Sequence, residues 1–320
     1  MIRYSPLFDE YSIIATNRAK RPNKLVPVPL KVKRCPFCFE NVKKEEEIFT
    51  YYKNAEAVCK VLTNIYGVIE DGGEKKSEGV FYSFPSEGRH EIIVDSPRHD
   101  ANLWDFSEEE ILNWLECILL RIEDAKKDKN ITFLRVFKNS GVNAGATQPH
   151  PHTQLVGLNI LSNKVLSLYK RSFDFYSKNG INLFESVFSA EKNIIDKNNS
   201  FFSFAPYASI HSYEIIISPE DFGSDMKNLE DLAEIIHISF RRLKAVLGEF
   251  DYNLYFEIKP LNVNFQTQEF FENTNKISTF FVRILPRLSR VGGFDISSGM
   301  LVNAYSPERV AKELKDVKIS

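Results

Sequence analysis

"HEIIVDSPRHDANLWDFSEEEILNWLECILLRIE", residues His90 to Glu123, and "YEIIISPEDFGSDMKNLEDLAEIIHISFRRLK", residues Tyr213 to Lys244, are two renderings of one pattern. Each holds Glu-Ile-Ile and a β-branched residue, a short apolar run that reads as a buried strand. Each continues with Ser-Pro, a polar loop and a long amphipathic helix. In the first copy Ser107, with Glu110 three residues on, makes a capping box. Behind it Ile111, Leu115, Ile118, Leu119 and Ile122 recur at helical spacing. In the second copy Leu229, Leu232, Ile236, Phe240, Leu243 and Leu247 line one face. A strand follows each helix, "ITFLRVFKN" from Ile131 and "YNLYFEIKP" from Tyr252, and another closes each unit, "HTQLVGLNI" from His152 and "STFFVRILPRL" from Ser278. Strand, helix, strand, strand, written twice, predicts an α+β fold. The two copies are expected to share one mainly antiparallel sheet, with helices packed outside it.

The expected division is 1–190 for the first unit and 191–320 for the second. The link, roughly Leu161 to Ser200, reads as two helices and a polar "AEKNIIDKNNS". The tail "SPERVAKELKDV" reads as a last helix, capped by Ser306, with Pro307 at its first position and Val310, Leu314 and Val317 inward.

A net charge of −2 gives no overall pull toward nucleic acid or an anionic membrane, although local basic clusters can still bind phosphate. No apolar run approaches the roughly 18 residues of a membrane span. "MIRYSPLFDE" lacks a signal peptide's apolar stretch, so a cytoplasmic protein is expected. In that reducing compartment disulfides are not expected, and Cys59 and Cys117 read as buried thiols.

Cys35 and Cys38 differ. "RCPFCFEN" spaces two thiols so that a tight turn can aim both at one zinc ion. A redox dithiol is the alternative, but it wants a helix directly after, and "FENVKKEEEIFTYY" offers none clearly. Zinc takes four ligands, and the histidines on offer are His90, His99, His150, His152, His211 and His237. His237 falls inside a helix and reads as a packing residue. His211 lies in a loop and reads as solvated.

"GATQPHPHTQL", Gly145 to Leu155, holds two histidines one residue apart. In extended chain His150, His152 and Gln154 share a face, with Thr153 and Leu155 on the other. If His150 holds a metal, His152 stands free beside it, and a neutral imidazole is a good nucleophile near neutral pH. Attack on phosphorus would give a nucleotidyl-histidine. Upstream, "NSGVNAGATQ" supplies Gly141 and Gly145, whose backbone N–H groups can approach an anion, the Thr147 hydroxyl, and Asn139. Gln154 can donate to a phosphate oxygen but cannot shuttle a proton, which favours transfer to another acceptor over hydrolysis. Taken alone, the His-Pro-His loop reads equally as an ordinary polar turn.

Together these residues resemble the galactose-1-phosphate uridylyltransferase branch of the histidine triad superfamily, over most of the chain. "RYSPLFDEYSIIATNRAKRP" resembles the N-terminal signature and "CPFC" the first two zinc ligands. "SPRH" is similar to the element carrying the third, His99, and His150 stands at the fourth. "FKNSGVNAGATQPHPHTQL" resembles the active-site segment, with His152 at the nucleophile's position. The resemblance also implies substrate contacts. Arg18 and Arg21 would meet a phosphate, in the site of a homodimer partner. Asn64 would lie near the nucleoside. Asn139, Gly145, Ala146, Thr147 and Gln154 would cradle phosphates. "GGFDISSGMLVN" would close over the sugar or acceptor through Gly293, Phe294, Ser298 and Gly299.

The chain also departs from that pattern. Classical uridylyltransferases carry a second metal site of one glutamate and three histidines. Here Glu214 matches the glutamate, while Glu257, Phe281 and Arg283 stand at the histidine positions, so a single structural zinc is expected. Thr153 replaces the usual glycine after the nucleophile. The ending is closer to nucleotide-sugar phosphorylases. The resemblance therefore implies an enzyme that moves a nucleotidyl group from a nucleoside-diphosphate sugar through His152 to a sugar 1-phosphate or phosphate. Phosphorolysis of an ADP-sugar or a dinucleoside polyphosphate is the neighbouring alternative. A nucleotide-binding regulator without turnover is the alternative of another class.

Overall fold

The capping box forms as its spacing predicts. Ser107 Oγ accepts the Glu110 N–H at 3.2 Å, and Glu110 Oε2 accepts the Ser107 N–H at 2.9 Å. A computed structural model describes residues 1–20, 25–30, 32–69, 76–83 and 85–319. Along the chain run β1 (Ile2–Ser5), β2 (Glu10–Ile14), β3 (Glu47–Lys53), β4 (Glu56–Thr63), β5 (Lys76–Glu78), β6 (Phe81–Ser83), β7 (Gly88–Val94), α1 (Glu108–Ala125), β8 (Phe133–Ser140) and β9 (His152–Leu158). Then come α2 (Asn163–Asn179), α3 (Leu183–Phe188), β10 (Ile194–Lys197), β11 (Phe201–Phe204), β12 (Ile215–Pro219), α4 (Leu229–Leu247), β13 (Tyr252–Glu257), α5 (Thr274–Ile277), β14 (Phe281–Pro286), α6 (Gly293–Ser298), β15 (Leu301–Asn303) and α7 (Pro307–Asp316).

Ten strands form one sheet, in the order β10-β11-β12-β14-β13-β8-β9-β7-β4-β3. Its pairings are all antiparallel. The order reads the same outward from its middle. From β8 the first copy runs β9, β7, β4, β3; from β13 the second runs β14, β12, β11, β10. The copies join where Tyr252 to Phe256 pairs with Ser140 to Val136. A small sheet of β1, β2 and β15 ties the N-terminal strands to the C-terminal stretch.

One face of the large sheet lies under α1 and α4. Ile111, Trp114 and Ile118 from α1 and Leu232, Ile236 and Phe240 from α4 share one apolar core with Leu155, Leu254 and Ile284 from the strands. Burial of such side chains contributes about 1.5–3 kcal/mol each and is the main force holding helices to sheet. The opposite face differs between the copies. Over the second it is filled: Leu168, Phe184 and Phe188 of α2 and α3 pack on Phe204, Ile216 and Phe281. Over the first it carries His152, Gln154 and Asn139.

Two local expectations change. "AEKNIIDKNNS" contains β10, an edge strand that pairs with β11. Val317 ends α7 as its C-cap and is half-buried, while Val310 and Leu314 point inward. Among the described residues no helix is long and apolar enough to cross a membrane.

Candidate active site

Cys35 and Cys38 lie on a turn, with no helix directly after them. They converge with His99 from the loop after β7 and His150 before β9; one ligand atom of each lies within 4.8 Å of the others. Cys38 Sγ is 3.3 Å from His99 Nδ1 and 3.7 Å from His150 Nδ1. His150 is fully buried, and its Nε2–H donates to the Ser96 carbonyl at 2.8 Å. A neutral imidazole carries one N–H and one lone pair, so that bond turns the Nδ1 lone pair to the cysteines. These four can hold a metal ion, and they are the one such group found among the described residues. At the positions matching the second metal site of classical uridylyltransferases, Glu214 Oε1 is 2.6 Å from the Arg283 guanidinium and Glu257 Oε2 is 2.7 Å from that of Arg135. Phe281 belongs to the apolar cluster.

His152 opens β9. Its Nδ1–H donates to the His150 carbonyl at 2.9 Å, which leaves the lone pair on Nε2, and among the described residues Nε2 has no hydrogen-bond partner. Burial first, then the nearby Lys138 ammonium, lower its pKa, so the ring is neutral at pH 7. Phe37, between the two cysteines, lies against it with ring centroids 5.0 Å apart. Beneath, Lys138 Nζ donates to Asp95 Oδ2 at 2.5 Å and to the His152 carbonyl at 3.2 Å.

The loop from Gly141 to Thr147 is held by the second copy. Asp251 Oδ2 accepts the Asn143 N–H at 2.8 Å, and Asn253 Nδ2 donates to the Ala144 carbonyl at 2.8 Å. Gly141 has φ +86°, and a Cβ there would fall 1.9 Å from Asp251 Oδ1, so only glycine fits. The expected N–H donor of Gly145 needs correction; that of Gly141 does not. The Gly145 and Ala146 N–H groups turn inward, to the Val142 and Gly141 carbonyls, because residues 142–144 wind into a 3-10 turn. From Gly141 to His150, among the described residues, the N–H groups of Gly141, Val142, Thr147, Gln148 and His150 have no acceptor. Asn253 also donates to Asn139 Oδ1 at 2.9 Å, which turns the Asn139 amide nitrogen toward Gly145.

Gln154 follows His152 on the same face, and its Oε1 lies 2.9 Å from His90 Nε2. Asn64 lies against the same His90 ring. Thr153 points the other way: its hydroxyl accepts the Trp114 indole N–H at 2.9 Å in the core. The departure from glycine thus ties the strand to α1 and leaves the open face unchanged.

Arg18 is elsewhere. It lines a cavity of about 1150 Å³ with Tyr213, Asp295, Leu301 and Val302, which shares no residue with the surroundings of His152. Gly293, Phe294, Ser298 and Gly299 form the exposed α6 and its end beside it. Arg21 lies outside the described residues. His211, expected in solvent, packs instead against Arg287 with its Nε2 3.3 Å from Nη1, and burial followed by the two guanidiniums of Arg287 and Arg283 pushes its pKa down to about 3. The sequence reading missed Asn253, Asp251, Lys138 and the role of His90; their partners are distant in sequence, and no local spacing marks them.

Known proteins resemble this chain along its whole length. The chain is 28% identical to the ADP-glucose phosphorylase of Arabidopsis thaliana, covering all of this chain and 93% of that one. It is 22% identical to the galactose-1-phosphate uridylyltransferase of Thermotoga maritima, covering 99% and 98%. The Arabidopsis thaliana ADP-glucose phosphorylase structure with bound ADP-glucose superposes with a TM-score of 0.83 at 25% identity, covering 100% of this chain and 99% of that one. The family model for the N-terminal domain of galactose-1-phosphate uridyl transferase matches residues 1–162, half of the chain, and the chain belongs to this family of nucleotidyltransferases.

Proposed function

We propose that the protein transfers a nucleotidyl group from a nucleoside-diphosphate sugar through a covalent intermediate on His152. The observation that carries this is the uncommitted Nε2 lone pair of a neutral, buried imidazole on the strand that also carries Gln154. Nε2 attacks the α-phosphorus. A P–N bond forms, the P–O bond to the sugar phosphate breaks, and its electron pair leaves with sugar 1-phosphate. The positive charge that develops on the ring is met by the His150 carbonyl at Nδ1–H. Thr147, the free N–H groups beside it, the Asn139 amide and the Gln154 amide donate to the phosphate oxygens. An oxygen of the acceptor phosphate then attacks and restores His152.

Zinc fits the Cys35, Cys38, His99 and His150 set. Bonds of about 2.3 Å to sulfur and about 2.0 Å to nitrogen place tetrahedral ligand atoms about 3.3–3.8 Å apart, and both measured Cys38 to histidine separations fall there. With all four positions taken by protein its role is structural: it fixes the segment that carries His152. Arg18 and Arg21 are assigned to the site of a second copy in a homodimer, a role favoured by the cavity that Arg18 lines, which His152 does not share, and Gly293, Phe294, Ser298 and Gly299 to closure over the sugar or acceptor. Units 1–190 and 191–320 then divide the work, the first carrying the chemistry and the second bracing its loop. The enzyme is placed in the cytoplasm.

Phosphate as the acceptor and an ADP-sugar as the donor form the second reading, favoured by the higher identity to the ADP-glucose phosphorylase. Protein incubated with labelled UDP-glucose or ADP-glucose should retain label on His152. Discharge by galactose 1-phosphate or by phosphate then separates the two readings. His152→Ala should keep zinc and fold and retain no label; normal turnover in that variant overturns the proposal.

A further inference from the structure

We propose that His90 is a positioning residue: held in a single tautomer, it locks the Gln154 amide so that only N–H groups face the transferring phosphate. This rests on the reading that Gln154 donates to that phosphate.

His90 lies on β7 opposite Val156 of β9, half-buried beside Gln154. The backbone N–H of Val68 reaches its Nδ1 at 3.1 Å, so Nδ1 is the acceptor. Burial lowers the ring's affinity for a second proton, so the ring is neutral and its one hydrogen sits on Nε2. That hydrogen meets Gln154 Oε1 at 2.9 Å. Asn64 Oδ1 accepts the Tyr66 N–H at 2.9 Å, and its amide nitrogen lies against the ring, 3.1 Å from Nε2 and 3.4 Å from Nδ1.

A glutamine amide is almost the same shape either way round, and only its hydrogen-bond partners decide which end points where. With Oε1 tethered to His90, the NH2 end is directed elsewhere, and among the described residues it has no partner. Released from His90, the amide could present its oxygen to a phosphate oxygen, replacing an attraction by a repulsion. Through His90, the Val68 N–H thereby sets the polarity of the Gln154 amide.

The test is single-turnover labelling of His152 from labelled UDP-glucose and ADP-glucose by wild type, His90→Phe, Gln154→Ala, the double variant and His90→Gln. Loss of one hydrogen bond to a charged group predicts roughly 10- to 100-fold slower labelling in His90→Phe. His90→Gln, whose amide can accept from Val68 and donate to Gln154, should stay within a few-fold of wild type. In the Gln154→Ala background His90→Phe should have no further effect. Equal slowing by His90→Phe in both backgrounds marks a merely structural role and overturns the inference, as does an unchanged rate. With six histidines in the chain, nitrogen-15 spectra of the imidazoles read the tautomer directly; a proton on His90 Nδ1 also overturns it. Absence of label on wild type sinks the nucleotidyl-histidine reading and this inference together. Label on wild type with additive variants sinks this inference alone.

Discussion

Lys138→Met is the sharpest test of how the nucleophile is supported. The Lys138 and Asp95 side chains are 1% and 0% exposed, with Nζ 2.5 Å from Oδ2. Among the described residues Asp95 Oδ1 has no hydrogen-bond partner, so Lys138 is the group that compensates the carboxylate. Methionine keeps most of the volume and removes the charge. Breaking a buried pair from one side costs about 3–5 kcal/mol, because the other charge stays in the core unpaired. Against a typical total of about 5–15 kcal/mol that is a large fraction of the fold's stability. Replacing both partners, Lys138→Met with Asp95→Leu, should recover most of the loss, since an apolar pair needs no compensation. Urea unfolding followed by the fluorescence of the buried Trp104 and Trp114 measures both variants. A single-variant loss under about 1 kcal/mol, or a double variant no more stable than the single, would refute the reasoning. In the folded single variant His152 labelling should also slow, because the bond to the residue's own carbonyl is gone.

Metal analysis of purified wild type should find about one zinc per chain; Cys38→Ser should lose it, and His152 labelling with it. His211, with a folded pKa of about 3, binds its proton far less readily than in the unfolded chain, at about 6.5. Its contribution is therefore full above about pH 6.5 and is lost as pH falls toward 3. Between pH 7 and pH 5 the stability of wild type should drop by about 2 kcal/mol more than that of His211→Gln, as measured by denaturant unfolding; parallel curves contradict this. Trp114→Phe removes the donor to the Thr153 hydroxyl and should cost about 1–3 kcal/mol by the same assay.

The duplicated pattern was readable because buried strands and amphipathic helices leave periodic apolar residues, and both α1 and α4 do so. The edge strand β10 left little such trace: of its four residues only Ile195 is buried. At the site, cysteine and histidine are scarce enough in this chain for their spacing to carry meaning. Asn253 is an ordinary residue in an ordinary strand until its bond to Asn139, 114 residues away, is seen. The same holds for His211, whose arginine partner stands 76 residues further on. A loop position says nothing of such a neighbour.

Asp251 and Asn253, on the second copy, grip the loop that precedes His152 in the first. An ancestral half-length polypeptide could have met the same need only by assembling with itself. Once fused, one half could surrender its own chemistry while its grip remained indispensable. Excising residues 1–190 should therefore yield a chain that keeps His152 but loses the order of the loop from Gly141 to Thr147.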